Sequence, residues 1–355
     1  MIESKSMKKT NMLMGLFLGL LSTLAIAGER GNAYVSNQDG GITVIDLDTL
    51  EATGNIDIQA KSPRGIGVTE DGKYLITANK DDGNISVIDR ASGNLVKHIN
   101  VGKNPEFVRV HKGFVFVSTE PSSKGGPPPK PGEVAKEDDD DDEKIPARIA
   151  VVDLKKGKKI REIVGGPETE GIEFSKDGKK LIITNEADNT ITVHNLATGK
   201  LLKSISTKEY GDRPRGIKVS PDGSYYVSTL EYGNKFIVLD KNFKVTRTVE
   251  TGQSPYGISF NRNGDRIYVA SSKEKVMQVY DAKSFEKIKD IPTGNRCWHF
   301  SFTPDDKEIL LACGKSDAVV VIDVEKLEKT KDITDKEMPW GVITYPKSMG
   351  SLDKP

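Results

Sequence analysis

Short runs of alternating apolar and polar residues follow one another along the chain from about residue 31 onwards. Most runs end at Gly, Asn, Asp or Pro, which is the pattern of short β-strands joined by tight turns. Dipeptides typical of two-residue hairpin turns stand between several of them: Asp71-Gly72, Asp177-Gly178, Asp222-Gly223 and Asn263-Gly264. Helical periodicity is absent. The pattern therefore predicts an all-β protein.

One tripeptide, which is mostly apolar, apolar and acidic, recurs along this pattern. Its copies are Val44-Ile45-Asp46, Val87-Ile88-Asp89, Val151-Val152-Asp153, Val193-His194-Asn195, Val238-Leu239-Asp240, Val279-Tyr280-Asp281 and Val321-Ile322-Asp323. Most repeats are about 42 residues long and contain four strand-like runs, which is the size of one propeller blade. We therefore predict a seven-bladed β-propeller of four-stranded blades.

A second pattern precedes most copies: Pro or a polar residue, one variable residue, Gly and a β-branched residue. It occurs at Pro63-Arg64-Gly65-Ile66, Thr169-Glu170-Gly171-Ile172, Pro214-Arg215-Gly216-Ile217, Pro255-Tyr256-Gly257-Ile258 and Pro339-Trp340-Gly341-Val342. Two copies lack the glycine, namely Pro105-Glu106-Phe107-Val108 and Cys297-Trp298-His299-Phe300. The repeat is therefore regular, with two marked exceptions.

The two ends of the repeated region complement each other. Residues 31–59 contain only the second, third and fourth strands of a blade, whereas Met338 to Tyr345 contains only a first strand. Joining them closes the ring and removes two exposed sheet edges that would otherwise promote aggregation. We predict a propeller over residues 28–347, closed by the C-terminal strand in the N-terminal blade, and a tail over 348–355.

The amino-terminal segment has the features of a signal peptide. Lys8 and Lys9 precede an apolar run from Met12 to Ile26 that ends in Ala25-Ile26-Ala27, so we expect residues 1–27 to be removed. No later run is long enough to span a bilayer. Lys plus Arg and Asp plus Glu both number 52, which gives no basic footprint for nucleic acid. We expect a soluble, monomeric periplasmic protein.

In a propeller, the connection into each innermost strand and the turn between the second and third strands lie at the same end. The variable residue of the second pattern should then face an axial funnel, and these residues are Arg64, Glu106, Glu170, Arg215, Tyr256, Trp298 and Trp340. Half of this ring is charged and half is aromatic, which suits an amphipathic planar ligand or a partner's loop. Alternatively, the Arg and Glu residues neutralise one another and the tryptophans fill space.

A second ring of residues follows the second strands: Asn37, Asn79, Glu120, Asn185, Glu186, Glu231 and Lys315. We expect these residues mainly to satisfy the hydrogen bonds of their turns.

Residues 121–146 form an insertion in the third blade, where its second strand turns into its third. The insertion opens with Gly125-Gly126-Pro127-Pro128-Pro129 and carries five consecutive aspartates from Asp138 to Asp142. Such a segment buries little apolar surface, so we expect it to be disordered. It is either a solvated loop or an acidic arm that recruits a basic partner such as a cytochrome, or that loosely holds calcium.

The only two cysteines, Cys297 and Cys313, should lie at the same end of antiparallel neighbours in the seventh blade. A disulfide is reasonable in an oxidising periplasm, and two buried free thiols are the alternative. His299 lies two residues from Cys297, so a Cys297/His299/Cys313 metal site is conceivable, although no known zinc-ligand spacing is present.

These repeats resemble the YVTN β-propeller family, with Tyr34-Val35-Ser36-Asn37 and Ile182-Ile183-Thr184-Asn185 matching its defining strand. Within that family, the stretch from Arg296 to Asp305 and the closing Pro339-Trp340-Gly341-Val342 resemble periplasmic propellers associated with pyrroloquinoline quinone (PQQ)-dependent alcohol catabolism. A more distant resemblance is to the propeller of haem d1-type nitrite reductases, which needs an axial histidine on the binding face. His299 alone is placed there.

We therefore expect a non-enzymatic periplasmic binding or scaffold propeller, accessory to a PQQ-dependent alcohol dehydrogenase or its electron-transfer cytochrome. The ring residues would hold that protein partner or a small ligand. One alternative is a lactonase-like hydrolase that uses Glu106 and Glu170 as a base or as metal ligands. Another is a haem d1-type tetrapyrrole- or metal-binding propeller. Apart from calcium at the acidic loop, no cofactor is indicated.

Overall fold

Each repeat folds into an antiparallel four-stranded sheet in a computed structural model that describes residues 29–121 and 145–355. The first fourteen strands are β1 (Asn32–Asn37), β2 (Ile42–Asp46), β3 (Glu51–Ile56), β4 (Pro63–Val68), β5 (Tyr74–Asn79), β6 (Asn84–Asp89), β7 (Leu95–Asn100), β8 (Pro105–His111), β9 (Phe114–Thr119), β10 (Arg148–Asp153), β11 (Lys158–Val164), β12 (Thr169–Phe174), β13 (Lys180–Asn185) and β14 (Thr190–Asn195).

The remaining strands are β15 (Leu201–Ser206), β16 (Pro214–Val219), β17 (Tyr225–Leu230), β18 (Lys235–Asp240), β19 (Val245–Glu250), β20 (Pro255–Phe260), β21 (Arg266–Ser271), β22 (Val276–Asp281), β23 (Lys287–Pro292), β24 (Cys297–Phe302), β25 (Glu308–Cys313), β26 (Ala318–Asp323), β27 (Glu328–Ile333) and β28 (Pro339–Tyr345). A 3-10 helix covers Gly314–Ser316. Among the described residues there are seven sheets, which confirms the predicted seven-bladed propeller.

The ring is closed by the first blade, which combines both ends of the repeated region. Its strand order is β28-β1-β2-β3, and Tyr34 of β1 lies opposite Ile343 of β28 in antiparallel register. The innermost strands β28, β4, β8, β12, β16, β20 and β24 each contact the next around the axis. Blades 2 to 7 follow in chain order, beginning at β4, β8, β12, β16, β20 and β24.

Burial decreases from the axis outwards. Every residue of the innermost strands β12, β20 and β24 is buried, whereas most of the outermost strand β15 is exposed. The faces of neighbouring sheets pack against each other through Val, Ile, Leu and aromatic side chains, as in the cluster around Phe260, Tyr280 and Phe302. Apolar burial between blades is therefore the main stabilising term.

The aspartate that ends most third strands builds the turn that follows. Asp281 Oδ1 accepts hydrogen bonds from the backbone N–H groups of Lys283 and Ser284, at 2.9 and 2.7 Å. Asp89 accepts in the same way from Ser92 at 3.0 Å, and these bonds lower the pKa of both carboxyl groups. The recurring tripeptide is thus explained by a strand that ends in an Asx-type turn.

Residues 346–355, which include the predicted tail, return into the axial channel from the end opposite to the motif prolines. Gly350 forms a bridge with Ser301 of β24, and Leu352 is 1% exposed. The predicted signal peptide and most of the acidic insertion lie outside the described residues. Of the residues described, no helix is long and apolar enough to cross a membrane.

Candidate functional site

The start of each innermost strand and the end of the second strand beside it lie at one end of the ring, which we call the entry face. In blade 2, Pro63 pairs with Asn79, and in blade 5, Pro214 pairs with Leu230. The variable residue of each motif therefore lies next to the residues that follow the second strand. The two rings of side chains predicted from the sequence meet on this face.

The motif glycine is required by the close approach of neighbouring blades. A Cβ atom on Gly65 would lie 2.4 Å from the carbonyl oxygen of Glu106, and one on Gly216 would lie 2.6 Å from that of Tyr256. Real Cβ atoms do not tolerate such contacts with backbone. The glycines thus let successive innermost strands pack closely, and this brings their variable side chains within hydrogen-bonding distance.

Arg215 is the centre of a buried charged cluster, the funnel network. Its guanidinium forms ion pairs with Glu170 and Glu186, and its Nε lies 2.6 Å from Glu231 Oε2. The guanidinium also lies 4.6 Å from the centre of the Tyr256 ring. Burial opposes the positive charge, but Glu231 and the other acidic groups outweigh it and raise the pKa of Arg215.

A second arginine, Arg64, extends the funnel network into blades 2 and 3. It forms an ion pair with Glu106, and its Nε donates a hydrogen bond to Gln38 Oε1 at 3.1 Å. Arg213 adds a further ion pair to Glu186 at the rim. The predicted charged half of the ring is therefore brought together, and its members are paired with one another.

Glu106 and Glu120 form a carboxyl pair with opposite pKa shifts. Burial, followed by the negative charge of Glu106, raises the pKa of Glu120 well above its usual value. For Glu106 burial acts in the same direction, but the charges of Arg64 and Arg215 and the hydrogen bond with Glu120 lower its pKa. The two shifts together favour a proton shared by the pair, with Glu120 as the preferred acid and Glu106 as the carboxylate.

Glu170 lies beside this pair. One carboxylate oxygen from each of Glu106, Glu120 and Glu170 falls within 4.8 Å of the other two, and all three residues are buried. Glu170 Oε1 accepts a hydrogen bond from the Tyr256 hydroxyl at 3.0 Å, and that hydroxyl accepts one from Arg215 at 3.1 Å. The arrangement can donate and accept protons, and its three oxygens are the type that hard cations prefer.

The aromatic half of the ring is buried. Tyr256, Trp298 and Trp340 are 4%, 6% and 2% exposed and belong to one apolar cluster. The Trp298 ring packs so closely on Gly314 that a Cβ atom there would lie 1.9 Å from it. The two tryptophans therefore fill space in this structure and offer no open ring face for stacking.

His299 and Phe107, the two exceptions to the motif glycine, form the floor of the funnel. Their rings meet edge to face with centroids 5.7 Å apart, and His299 also lies 5.4 Å from Tyr256 and 4.4 Å from Trp340. His299 is 1% exposed, and its Nδ1 lies 3.1 Å from Ser351 Oγ. Its Nδ1 is thus engaged by Ser351, whereas its buried Nε2 has no hydrogen-bond partner among the described residues.

Cys297 and Cys313 are joined by a disulfide, with their Cα atoms 3.8 Å apart as directly opposed residues of β24 and β25. Neither sulfur is available as a thiolate in this state. The Cys297/His299/Cys313 group considered from the sequence therefore does not form a metal site here.

Sequence reasoning missed the part played by four charged residues: Glu120, Glu186, Arg213 and Glu231. Three of them belong to the predicted turn ring, where only local hydrogen bonding was expected. That expectation describes Asn79, whose Nδ2 donates to Asn84 Oδ1 at 2.7 Å and Ser86 Oγ at 2.8 Å. The available signal was that a Glu directly follows the second strand in three consecutive blades, at Glu120, Glu186 and Glu231, whereas blades 1 and 2 have Gln38 and Lys80 at that position. The calcium or partner role of the acidic loop falls on residues outside those described.

Comparisons with known proteins agree with the architecture. Residues 10–112 match the family model described as YNCE-like beta-propeller. Antigen Lp49 of Leptospira interrogans serogroup Icterohaemorrhagiae serovar copenhageni is 24% identical over 285 residues. The match covers 74% of this chain and 57% of that relative's length, so this chain spans little more than half of that protein.

Solved structures of low sequence identity share the fold. The periplasmic gluconolactonase of Pseudomonas aeruginosa superposes with a TM-score of 0.71 at 15% identity, covering 91% of this chain and 99% of that one. Hydrazine synthase of Kuenenia stuttgartiensis gives a TM-score of 0.69 at 18% identity, covering 86% of this chain and 99% of the matched chain. At these identities the likeness extends to the propeller fold alone.

Proposed function

We propose that this protein is a periplasmic, non-enzymatic binding propeller whose funnel network holds a protein partner or a small charged ligand. The observation that carries this proposal is that three partly exposed arginines, Arg64, Arg213 and Arg215, pair with buried acidic side chains at one end of a channel whose floor is closed. A closed floor makes the funnel a one-sided cup. Charges that are already oriented in such a cavity can bind a charged group of a partner or ligand with little reorganisation.

The partner we propose is a component of a PQQ-dependent alcohol dehydrogenase system, either the dehydrogenase or its cytochrome. Support comes from the resemblance of Arg296–Asp305 and of Pro339-Trp340-Gly341-Val342 to propellers associated with that metabolism. The periplasmic location is part of this proposal. It is supported by the signal-like segment over residues 1–27 and by the Cys297–Cys313 disulfide, which suits an oxidising compartment.

The test is a binding titration with purified PQQ-dependent dehydrogenase and its c-type cytochrome, measured by calorimetry at low and high salt. Arg64→Gln removes a partly exposed guanidinium from the funnel, whereas Arg247→Gln removes an exposed one on an outermost strand and is the matched control. We expect the first variant to weaken binding and the second to leave it unchanged. Equal affinities for both variants, or no binding to either protein, would remove the proposal.

A second candidate function is lactone hydrolysis, favoured by the opposite pKa shifts of Glu106 and Glu120. Glu106 would take a proton from water as the resulting hydroxide attacks the carbonyl carbon. Glu120 would give its proton to the ring oxygen as the acyl C–O bond breaks, which yields the hydroxy acid. The fold shared with the Pseudomonas aeruginosa gluconolactonase supports testing this class of substrate.

Glucono-δ-lactone hydrolysis followed in a pH-stat distinguishes the two functions. Turnover by the wild-type protein that is lost in Glu120→Gln and kept in Arg247→Gln would establish the hydrolase. If the wild-type protein binds its partner but hydrolyses the lactone no faster than buffer does, the hydrolase function would be excluded and the binding function would be supported.

A further inference from the structure

Residues 349–351 add an extra antiparallel segment to the inner edge of β24, inside the axial channel. The N–H of Phe302 donates to the carbonyl of Met349 at 2.8 Å, and the N–H of Ser351 donates to the carbonyl of Phe300 at 2.9 Å. Met349 and Ser351 are 8% and 5% exposed. The segment is therefore held by strand pairing, as in peptide recognition by β-augmentation.

Charged side chains from three other blades hold the next residues. Arg109 Nη1 donates to the carbonyl of Leu352 at 2.7 Å, and Lys218 Nζ donates to the carbonyl of Asp353 at 3.1 Å. Glu173 Oε1 accepts from Lys354 Nζ at 3.1 Å. All of these contacts are to residues 352–354. A peptide with the right backbone path therefore satisfies groups on β8, β12 and β16 together.

These three channel side chains are almost fully buried. Arg109 and Lys218 are each 2% exposed, and Glu173 is completely buried. Glu173 lies 3.1 Å from Arg109 and 3.8 Å from Lys218. Lys354 of the segment lies 3.1 Å from the same carboxylate, so three basic side chains share one acidic group. A surplus buried cation is costly unless dipoles solvate it. The carbonyl groups of residues 352 and 353 provide those dipoles.

Two positions of the segment are sterically or chemically selective. A Cβ atom on Gly350 would lie 2.7 Å from the Phe300 carbonyl oxygen and 3.0 Å from Ser301 Cα. Ser351 Oγ accepts from the N–H of Phe300 at 2.9 Å and contacts His299 Nδ1 at 3.1 Å. Leu352 packs into the apolar cluster that contains Trp340. Asp353 is 8% exposed and its carboxylate lies 3.1 Å from Lys347 Nζ. The channel thus fits glycine, serine, an apolar residue, an acidic residue and lysine, in that order.

We propose that the lower axial channel is a binding site for an extended peptide, and that residues 348–354 of this chain occupy it as a displaceable ligand. This site is distinct from the funnel network and does not depend on the proposed function. When the segment leaves, Arg109, Glu173 and Lys218 face an open channel beneath His299. The axial channel is then open at both ends, and its second opening is lined by the groups that bind the peptide.

The first experiment uses a chain that ends at Lys347 and a fluorescent peptide of residues 346–355. We expect anisotropy to report saturable binding to the shortened chain and much weaker binding to the full chain, in which the peptide must first displace residues 348–354. The Gly350→Val peptide should bind about tenfold or more weakly, because its side chain clashes with β24. The Pro355→Ala peptide, changed at an exposed position, is the matched control and should bind normally.

Equal binding to the full and shortened chains, equal affinity of the Gly350→Val peptide, or no binding to a folded shortened chain would overturn the proposal. A second measurement needs no truncation. In the full chain, Gly350→Val should expose the bond between Lys347 and Ser348 to trypsin, and mass spectrometry would detect faster loss of residues 348–355 than in the wild-type chain. Identical cleavage rates at this bond in Gly350→Val and in the wild-type chain would equally contradict a specific channel site.

Discussion

Phe107 and His299 contact each other across the axis of the ring, with their ring planes at 77°. Both occupy the position at which the other five blades carry glycine. The glycines let neighbouring innermost strands approach closely, and the two larger side chains then fill the space that remains along the axis. The departure of these two motifs from the repeat is thus a matched pair that closes the funnel from below.

Truncating one member of this pair should destabilise the propeller. Phe107 is 3% exposed and packs in the cluster that contains Trp340 and Leu352, so Phe107→Ala removes a buried ring and leaves a cavity. We expect a loss of about 3–5 kcal/mol in the free energy of unfolding, measured by urea denaturation. Val96→Ala, at a residue that is 47% exposed, is the control and should change it by less than about 0.5 kcal/mol. A similar small change in both variants would mean that the axial contact does not stabilise the ring.

Two glycine substitutions should have opposite effects on stability. Gly65→Ala places a Cβ atom 2.4 Å from the Glu106 carbonyl oxygen, so two innermost strands must move apart. We expect the free energy of unfolding to fall by several kcal/mol, or the protein not to fold at all. Gly54→Ala lies in β3 with nothing within 4 Å of the added atom, and should stabilise by roughly 0.4–1 kcal/mol through the unfolded chain. Melting temperatures of the two variants measure this difference. Equal shifts of both melting temperatures in the same direction would show that close packing of the blades is not the reason for the motif glycine.

The sequence predicts the ring more fully than the site, for physical reasons. Blade number and closure follow from local periodicity, because every blade repeats the same hydrogen-bond register. The pairing of Arg215 with Glu170 was foreseen as an alternative, but its contacts with Glu186 and Glu231 depend on how far two turns reach over the channel. The path of residues 349–354 has no strand pattern at all, since it is set by charges on three distant blades.

The Glu106–Glu120 pair predicts a distinctive pH dependence. The folded-state pKa of Glu120 is raised, so the unfolded chain releases this proton first and stability falls as the pH rises above about 4.5 towards the folded value. Glu120→Gln carries no such proton, and its free energy of unfolding should exceed that of the wild type by a margin that widens as the pH rises above about 4.5. Chemical denaturation at several pH values tests this.

Glu106→Gln provides the contrast to that variant. It removes the carboxylate that pairs with Arg64 and should cost roughly 1.5–3 kcal/mol at neutral pH. If Glu120→Gln were the more damaging of the two at neutral pH, the assignment of the shared proton to Glu120 would be wrong.

Glu173 should control stability in acid, because its buried carboxylate lies between Arg109 and Lys218 in the lower channel. Burial opposes its ionisation, but the charges of Arg109, Lys354 and Lys218 hold its pKa at about 2, below the ordinary 4.5. A lowered folded-state pKa stabilises the protein fully above about pH 4.5, and this contribution is lost as the pH falls towards 2. The free energy of unfolding of Glu173→Gln should therefore be lower than that of the wild type by a few kcal/mol at pH 7, about the size of this shift, and should fall less on acidification.

Glu250→Gln removes an exposed carboxylate and is the control, which should follow the wild-type curve of stability against pH. Parallel curves for Glu173→Gln and the wild type between about pH 5 and about pH 2 would show that the channel charges are not linked to folding.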